Sequence, residues 1–225
     1  SCALTMTERP TYFSNGRKGA DVYASDASFK TNCIERLGPF PFFHFWGPKA
    51  NLKSSEWILG AARMAVDYAD PDLLLCYAPG LDYDVQRFGP NDERTLSTLA
   101  SADAIYGAFI DEMMSQGRDV MVVADYGFTE VTAPVFLNRT LREAGLLVVD
   151  KAANGEWLEP GASRAFAVCD NQSAHVYVED EEDVADVKKL LESVDGVAAV
   201  LGPNITESDA LGHERSGQLL AIADN

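Results

Sequence analysis

Residues 71–90, PDLLLCYAPGLDYDVQRFGP, decide how this chain is read. Leu73, Leu74, Leu75, Cys76 and Tyr77 form an unbroken apolar run, closed by Pro71-Asp72 on one side and Pro79-Gly80 on the other. A short apolar run between turn residues reads as a strand covered on both faces, the pattern of a parallel sheet. Asp82 lies just past its C-terminal end, and Gln86 follows four residues later. Open α/β sheets carry their chemistry at the carboxyl ends of strands. Residues 119–124 (DVMVVA) repeat the layout, with Asp125-Tyr126-Gly127 at their end. Between the two runs, Asn91 or Asp92 caps a long helix reaching about Gln116. Its buried stripe is Leu96, Leu99, Ala102, Tyr106, Phe109, Ile110 and Met113, and Gly117 suits the position after its end. Strand, long helix, strand is a right-handed βαβ unit. The expected class is α/β, a mostly parallel sheet sandwiched by helices. Two carboxylates at neighbouring strand ends can share one divalent cation or flank two.

The 225 residues are 47% hydrophobic and 24% charged, enough apolar material for one domain, or one with a sizeable insertion. The formal net charge of -17 makes the chain a poor general binder of nucleic acid or anionic membrane. A phosphate ester can still be accepted where a metal ion neutralises the local field. Cys2, Cys33, Cys76 and Cys169 form no CxxC pair, which argues against zinc ribbons and redox motifs. Cys76 and Cys169 lie in apolar runs and are expected to be buried free thiols. The sequence holds no transmembrane run and no signal peptide, so the expected location is cytoplasmic. It opens at Ser1 without Met and without an obvious first element, and so reads as a piece of a longer protein.

Residues 1–38 give few periodic signals and read as irregular chain. Residues 38–48, GPFPFFHFWGP, read as aromatic packing or a pocket wall, with His44 as a packed, hydrogen-bonded histidine. Residues 54–69 form a helix capped by Ser54 or Ser55, with Trp57, Ile58, Ala61, Met64, Ala65 and Tyr68 on one face. Past Gly127 the style changes. A helix at 137–144 ends at Gly145, a strand follows at 146–149, and 151–163 reads as loop. Strands at 164–169 and 174–178 precede the acidic run 179–183, a solvated helix start. Val184, Val187, Leu190, Leu191 and Val194 make the face of that helix, and a strand follows at 197–201. Residues 132–210 are thus expected to be a small α+β insertion, with the last strand, 218–223, rejoining the main sheet.

A lone carboxylate after a strand is usually a turn former, and a lone histidine in a polar loop such as Gly212-His213-Glu214 is usually a surface residue. Two such carboxylates in successive βαβ units leave a shared site and two separate turns equally open, and Asp with His at strand ends suits zinc or another divalent metal. LCYAPGLDYDVQRFGP, VMVVADYGFTEV and LGHERSGQLLAIAD resemble three segments of the alkaline phosphatase superfamily, in its nucleotide pyrophosphatase/phosphodiesterase (type I phosphodiesterase) branch. LNRTLREAGLL and the strand at 174–178 lie between them, so the likeness runs over nearly the whole chain.

The resemblance implies an alkaline phosphatase-like α/β hydrolase. Two divalent metals, usually zinc, are held by aspartates and histidines, and a Thr or Ser nucleophile attacks phosphorus. Asp82 stands where the family has an aspartate ligand, Gln86 where it has a histidine, and His213 where it has its late histidine ligand. Asp125 matches the aspartate of an Asp-His-Gly motif whose histidine is here Tyr126. The metal set implied is therefore Asp82, Gln86, Asp125 and His213, with two imidazoles lost to poorer zinc ligands. The nucleophile belongs to an N-terminal segment not matched here, so no catalytic residue is assigned and this piece alone is expected to be inactive. The implied activity is metal-dependent hydrolysis of small phosphodiester or pyrophosphate esters, with no nucleic-acid polymer or membrane as partner. The alternative is a non-catalytic relative that binds or scaffolds.

Overall fold

The computed structural model describes residues 4–15, 17–202, 213 and 215–224. The chain divides into two compact units, residues 1–130 and 131–225.

The first unit begins with two nested antiparallel ribbons. Strand β1 (Met6–Glu8) pairs with β4 (Val22–Ala24), and β2 (Thr11–Tyr12) pairs with β3 (Lys18–Gly19). Helix α1 (Ala27–Leu37) follows, where irregular chain was expected. The Asp26 carboxylate caps it by accepting from the Ser28 and Phe29 N–H groups at 2.8 and 3.0 Å. Phe29, Cys33 and Leu37, spaced four apart, make its packed stripe. A single turn of such spacing per seven residues, inside a polar stretch, is a weak pattern.

Helix α2 (Leu52–Ala69) is capped by Asn51, whose side chain accepts from the Lys53 N–H at 3.0 Å. Ser54 and Ser55, the expected caps, are instead fully buried inside its first turn. The helix has two apolar faces. Trp57 and Ala61 pack with Phe29, Cys33, Phe40 and Phe45. Leu59, Ala62 and Val66 pack with Phe109 and Met113 of α4 (Glu93–Ser115), which follows the short α3 (Asp82–Phe88). The aromatic run splits between core and solvent: Phe40 and Phe45 are buried, Phe43 and Trp46 are exposed. His44 is half-buried, with Nδ1 at 3.1 Å from the Lys49 carbonyl and 2.9 Å from Asn51 Nδ2. On α4 Ala102, Phe109 and Met113 are buried as expected, but in the first turns Thr95 is buried while Leu96 and Leu99 are exposed. Gly117, at φ 79°, ends the helix, and the Gly117 and Arg118 N–H groups return to the Met114 and Met113 carbonyls.

The two runs expected to be parallel strands lie outside every sheet among the described residues. Leu75 and Met121 are each 85% exposed. An extended apolar run becomes a strand only when a neighbour takes up its N–H and C=O groups, and here no described strand does.

In the second unit, α5 (Leu137–Glu143) precedes a hairpin of β5 (Val149–Ala152) and β6 (Gly155–Leu158), where sequence spacing predicts loop. Then come β7 (Ala165–Asp170), β8 (Ser173–Val178), α6 (Val184–Glu192), β9 (Val197–Leu201) and β10 (Leu219–Ala223). The last four strands form one antiparallel sheet in the order β7-β8-β10-β9. The final strand therefore joins this small sheet, between β8 and β9, rather than a larger parallel one. Leu219 and Ala221 are buried in the cluster that holds Leu141, Val187 and Leu191 of the two helices, and Leu220 between them is buried as well, as suits an inner strand. The free edge of β7 is covered by Asn138, whose amide donates to the Ala167 carbonyl at 2.8 Å and accepts from its N–H at 2.7 Å.

Mixed helices and sheets are consistent with an α/β class, but the sheets are small and antiparallel. The thiols also differ from expectation. Cys76 and Cys169 are exposed, because the first lies in the unpaired run and the second at the outward end of an edge strand, whereas Cys33 is buried. No described helix is long and apolar enough to cross a membrane.

Candidate functional site

The turn before Asp82 is pinned from two sides. The Gly80 N–H donates to Ser55 Oγ at 3.0 Å, and the Tyr106 hydroxyl donates to the Ala78 carbonyl at 3.1 Å. A Cβ on Gly80 would lie 2.6 Å from Leu52 and 2.7 Å from Ser55 Oγ, so the approach needs glycine. Tyr83 anchors α3 by donating to the Phe45 carbonyl at 2.5 Å, and burial pushes its phenol up to about 12. This frame fixes the helix that starts at Asp82. Gln86 sits one turn on, so the two side chains share a helix face.

The two acids of the first turn have different partners. Asp84 accepts from the Thr98 hydroxyl at 2.6 Å and pairs with Arg87 at 2.9 Å. Asp82 accepts from the Tyr126 hydroxyl at 2.5 Å. Asp125 is exposed, adjacent to that tyrosine, and the Tyr126 ring meets Phe128 edge-on at 5.4 Å. The hydrogen bond to Asp82 pushes the Tyr126 phenol up to about 12, aided by partial desolvation and by the charges of Asp82 and Asp125. Desolvation raises the Tyr77 phenol too, and Asp82, Asp125 and Glu8 add to the shift. Both carboxylates thus act on the same two phenols.

Because a raised phenol favours the protonated fold, the Tyr126–Asp82 bond contributes fully below pH 10 and is lost as pH rises through about 12. In an ultraviolet difference titration of wild type against Tyr126→Phe, the missing phenol should ionise near pH 12. With Asp82→Asn in both chains it should move toward 10. An unmoved midpoint would break the link.

His213 belongs to the second unit, Asp82, Gln86 and Asp125 to the first. The structure brings Tyr126 onto Asp82 through their hydrogen bond, Asp125 is next to Tyr126 in the chain, and Gln86 follows Asp82 by one helical turn. His213 lies in a turn of its own, where its carbonyl accepts from the Ser216 N–H at 2.8 Å. Tyr77 and Tyr126 are the residues that sequence reasoning undervalued. Tyr126 was read only as a lost histidine, and Tyr77 only as the end of a strand. A cavity of about 730 Å³ lies in the second unit beside Val135, Asn171, Gln172, Ser173 and Asp195, and none of the candidate site residues lines it.

The donors decide which ion could sit here. Asp82 and Asp125 give carboxylate oxygens, Gln86 an amide carbonyl, and Tyr126 a phenol already committed to Asp82. The first-unit set has no imidazole and no thiolate. Among the described residues, no three His, Cys, Asp or Glu side chains gather as a metal-holding group. Such oxygen donors fit one hard divalent cation and do not fit a zinc pair.

No curated protein sequence matches the chain. A family model does, over residues 4–225. By that match the chain belongs to the type I phosphodiesterase / nucleotide pyrophosphatase family, whose members are hydrolases acting on small phosphate esters.

Proposed function

We propose that the protein hydrolyses a small phosphodiester or pyrophosphate ester at an oxygen-donor cation site built on Asp82 and Asp125. One observation carries this reading: the hydroxyl of Tyr126, the neighbour of Asp125, donates to Asp82 at 2.5 Å and so ties the ends of the two apolar runs together across 44 positions. Asp82 and Asp125 would hold the cation, and Gln86 would offer a carbonyl from the same face of α3 as Asp82. When bound, the cation neutralises phosphate charge and stabilises the charge that grows during in-line displacement. The chain's own part is to fix the acids: Tyr126 orients Asp82, while Thr98 and Arg87 keep Asp84 out of the site. His213 matches the family's late histidine ligand. The exposed apolar runs before Asp82 and Asp125 support the view that they serve as strands of the family's parallel sheet.

Magnesium or manganese binding, read by equilibrium dialysis alongside hydrolysis of a chromogenic phosphodiester, tests the reading. Asp82→Asn should weaken the cation at least about tenfold, near 1.4 kcal/mol. Equal binding by wild type and variant would count against it.

A second reading is a non-catalytic relative that kept the fold. The Tyr126–Asp82 hydrogen bond favours it, since it satisfies the carboxylate without any ion. This reading expects no turnover, and unchanged biological activity when Asp82 and Asp125 are both replaced by Asn.

A further inference from the structure

The 730 Å³ cavity of the second unit lies at one end of the larger sheet. Three pieces of chain frame it: residues 131–135, the turn between β7 and β8, and the chain that leaves the C-terminal end of α6 at Asp195 and Gly196. Backbone bonds tie two of these pieces to the end of β10. The Ala223 N–H donates to the Gln172 carbonyl at 2.8 Å, and the Asp224 N–H donates to the Gly196 carbonyl at 3.0 Å. Val135 closes on the third side. A Cβ on Gly196, at φ 86°, would stand 2.6 Å from Val135 Cγ2, so the approach needs glycine. The walls are therefore set by the fold of this unit alone. The volume falls within the roughly 300–1,000 Å³ of sites that take small organic molecules.

The charge of the lining is one-sided. Asp195 and Asp224 line the cavity, and no Lys, Arg or His does. Neither carboxylate has a cationic partner among the described residues: the ion pairs of this unit join Arg142 and Lys151 to Glu156, Arg164 to Asp183 and Lys188 to Glu192. Helix α6 ends shortly before Asp195, and its C-terminal end adds partial negative charge. Val135, Val197 and Ile222 supply apolar wall. A bare metal ion does not suit this lining, because no three His, Cys, Asp or Glu side chains gather as a metal-holding group among the described residues. A quaternary ammonium wants an aromatic cage, and no aromatic residue lines the cavity. An amine fits both halves, since its N–H groups make charge-assisted bonds to carboxylates and its carbon body covers the apolar wall.

We propose that this cavity binds a small organic amine, its ammonium on Asp195 and Asp224 and its apolar body against Val135, Val197 and Ile222. The proposal does not rest on the phosphate-ester reading and needs no residue of the first unit.

Cys169 supplies the readout, because it is an exposed free thiol that lines the cavity. The full chain is pulsed with iodoacetamide, and alkylation at each cysteine is followed by peptide mass spectrometry. Cys76, exposed in the first unit, is the internal control. The probes are phenethylamine, the neutral 2-phenylethanol and the anionic phenylacetate. Phenethylamine at about ten times its Kd should slow Cys169 about tenfold and leave Cys76 unchanged. Its Kd should be at least about tenfold tighter than that of either analogue. Asp195→Asn with Asp224→Asn, both at exposed positions, should weaken phenethylamine at least about tenfold. Equal slowing by all three probes overturns the proposal, as does full protection retained in the double variant. So does a Cys169 rate that phenethylamine does not change, or one that falls only in step with Cys76. The comparison of the three probes on the wild-type chain decides the matter even if the double variant fails to fold.

Discussion

Replacing Gln86 and Tyr126 together by histidine is expected to raise the chain's zinc affinity at least about 100-fold, close to 2.7 kcal/mol. Two effects combine. Gln86→His puts an imidazole one helical turn after Asp82, on the same face, so that one ion can touch both. Tyr126→His puts a second imidazole beside Asp125 and removes the phenol that now holds Asp82 at 2.5 Å. Imidazole nitrogen suits zinc far better than amide or phenol oxygen. The control is Gln86→Ala with Tyr126→Ala, which frees Asp82 and adds no ligand. It should gain little zinc affinity, and competition against a chromophoric chelator reads both variants. If the histidine and alanine pairs bind zinc equally, these four positions do not face a common ion.

Phe29→Ala is expected to cost about 3–5 kcal/mol of stability, the usual range for emptying a buried aromatic site. The ring is 2% exposed and sits among Val22, Cys33, Phe40, Phe45, Trp57 and Ala61. Neighbours on α1 and α2 are held by their own helices and cannot close the gap. The Tyr68 ring, 5.3 Å away, is itself tied to the α1 cap through its hydroxyl on Asp26. Urea unfolding followed by tryptophan fluorescence measures the loss. A cost below about 1 kcal/mol would mean that the site collapses freely, and that α1 is not locked onto α2.

The long helices were legible because their signals are redundant. On α4 the Asp92 cap, the apolar period and Gly117 agree, and only the first turns differ, where the polar Thr95 is buried in place of Leu96 and Leu99. Its hydroxyl donates to the Gly89 carbonyl at 2.8 Å, which makes it cheap to bury. Helix α1 was hidden because its three packed residues sit among charged and hydroxyl side chains. The hairpin at 149–158 was hidden because its turn, Ala153-Asn154, precedes the glycine instead of containing it.

The apolar runs before Asp82 and Asp125 announced their hydrophobicity but not their partners. Strand pairing is a property of two segments, and a single segment cannot carry it. The same limit governs the site. Family resemblance gave the positions of Asp82, Gln86, Asp125 and His213, and residue type alone marked Tyr126 as a defect. Only coordinates reveal that the substituted side chain reaches across 44 residues to bond Asp82. That bond inverts the meaning of the substitution, from a missing ligand to a group that orients the remaining one.

A ribosome making this chain delivers β10 last among the four strands of the second unit's larger sheet, yet β10 lies between two of the others. Until residues 219–223 emerge, β9 has no strand partner among the described residues, and one side of β8 stands open. The helix pair meanwhile waits for Leu219, whose side chain ends up fully enclosed. Nascent chains stalled shortly before that point would display sticky ladders and greasy helix faces at once, which makes this the interval in which a chaperone's hold on the growing polypeptide matters most.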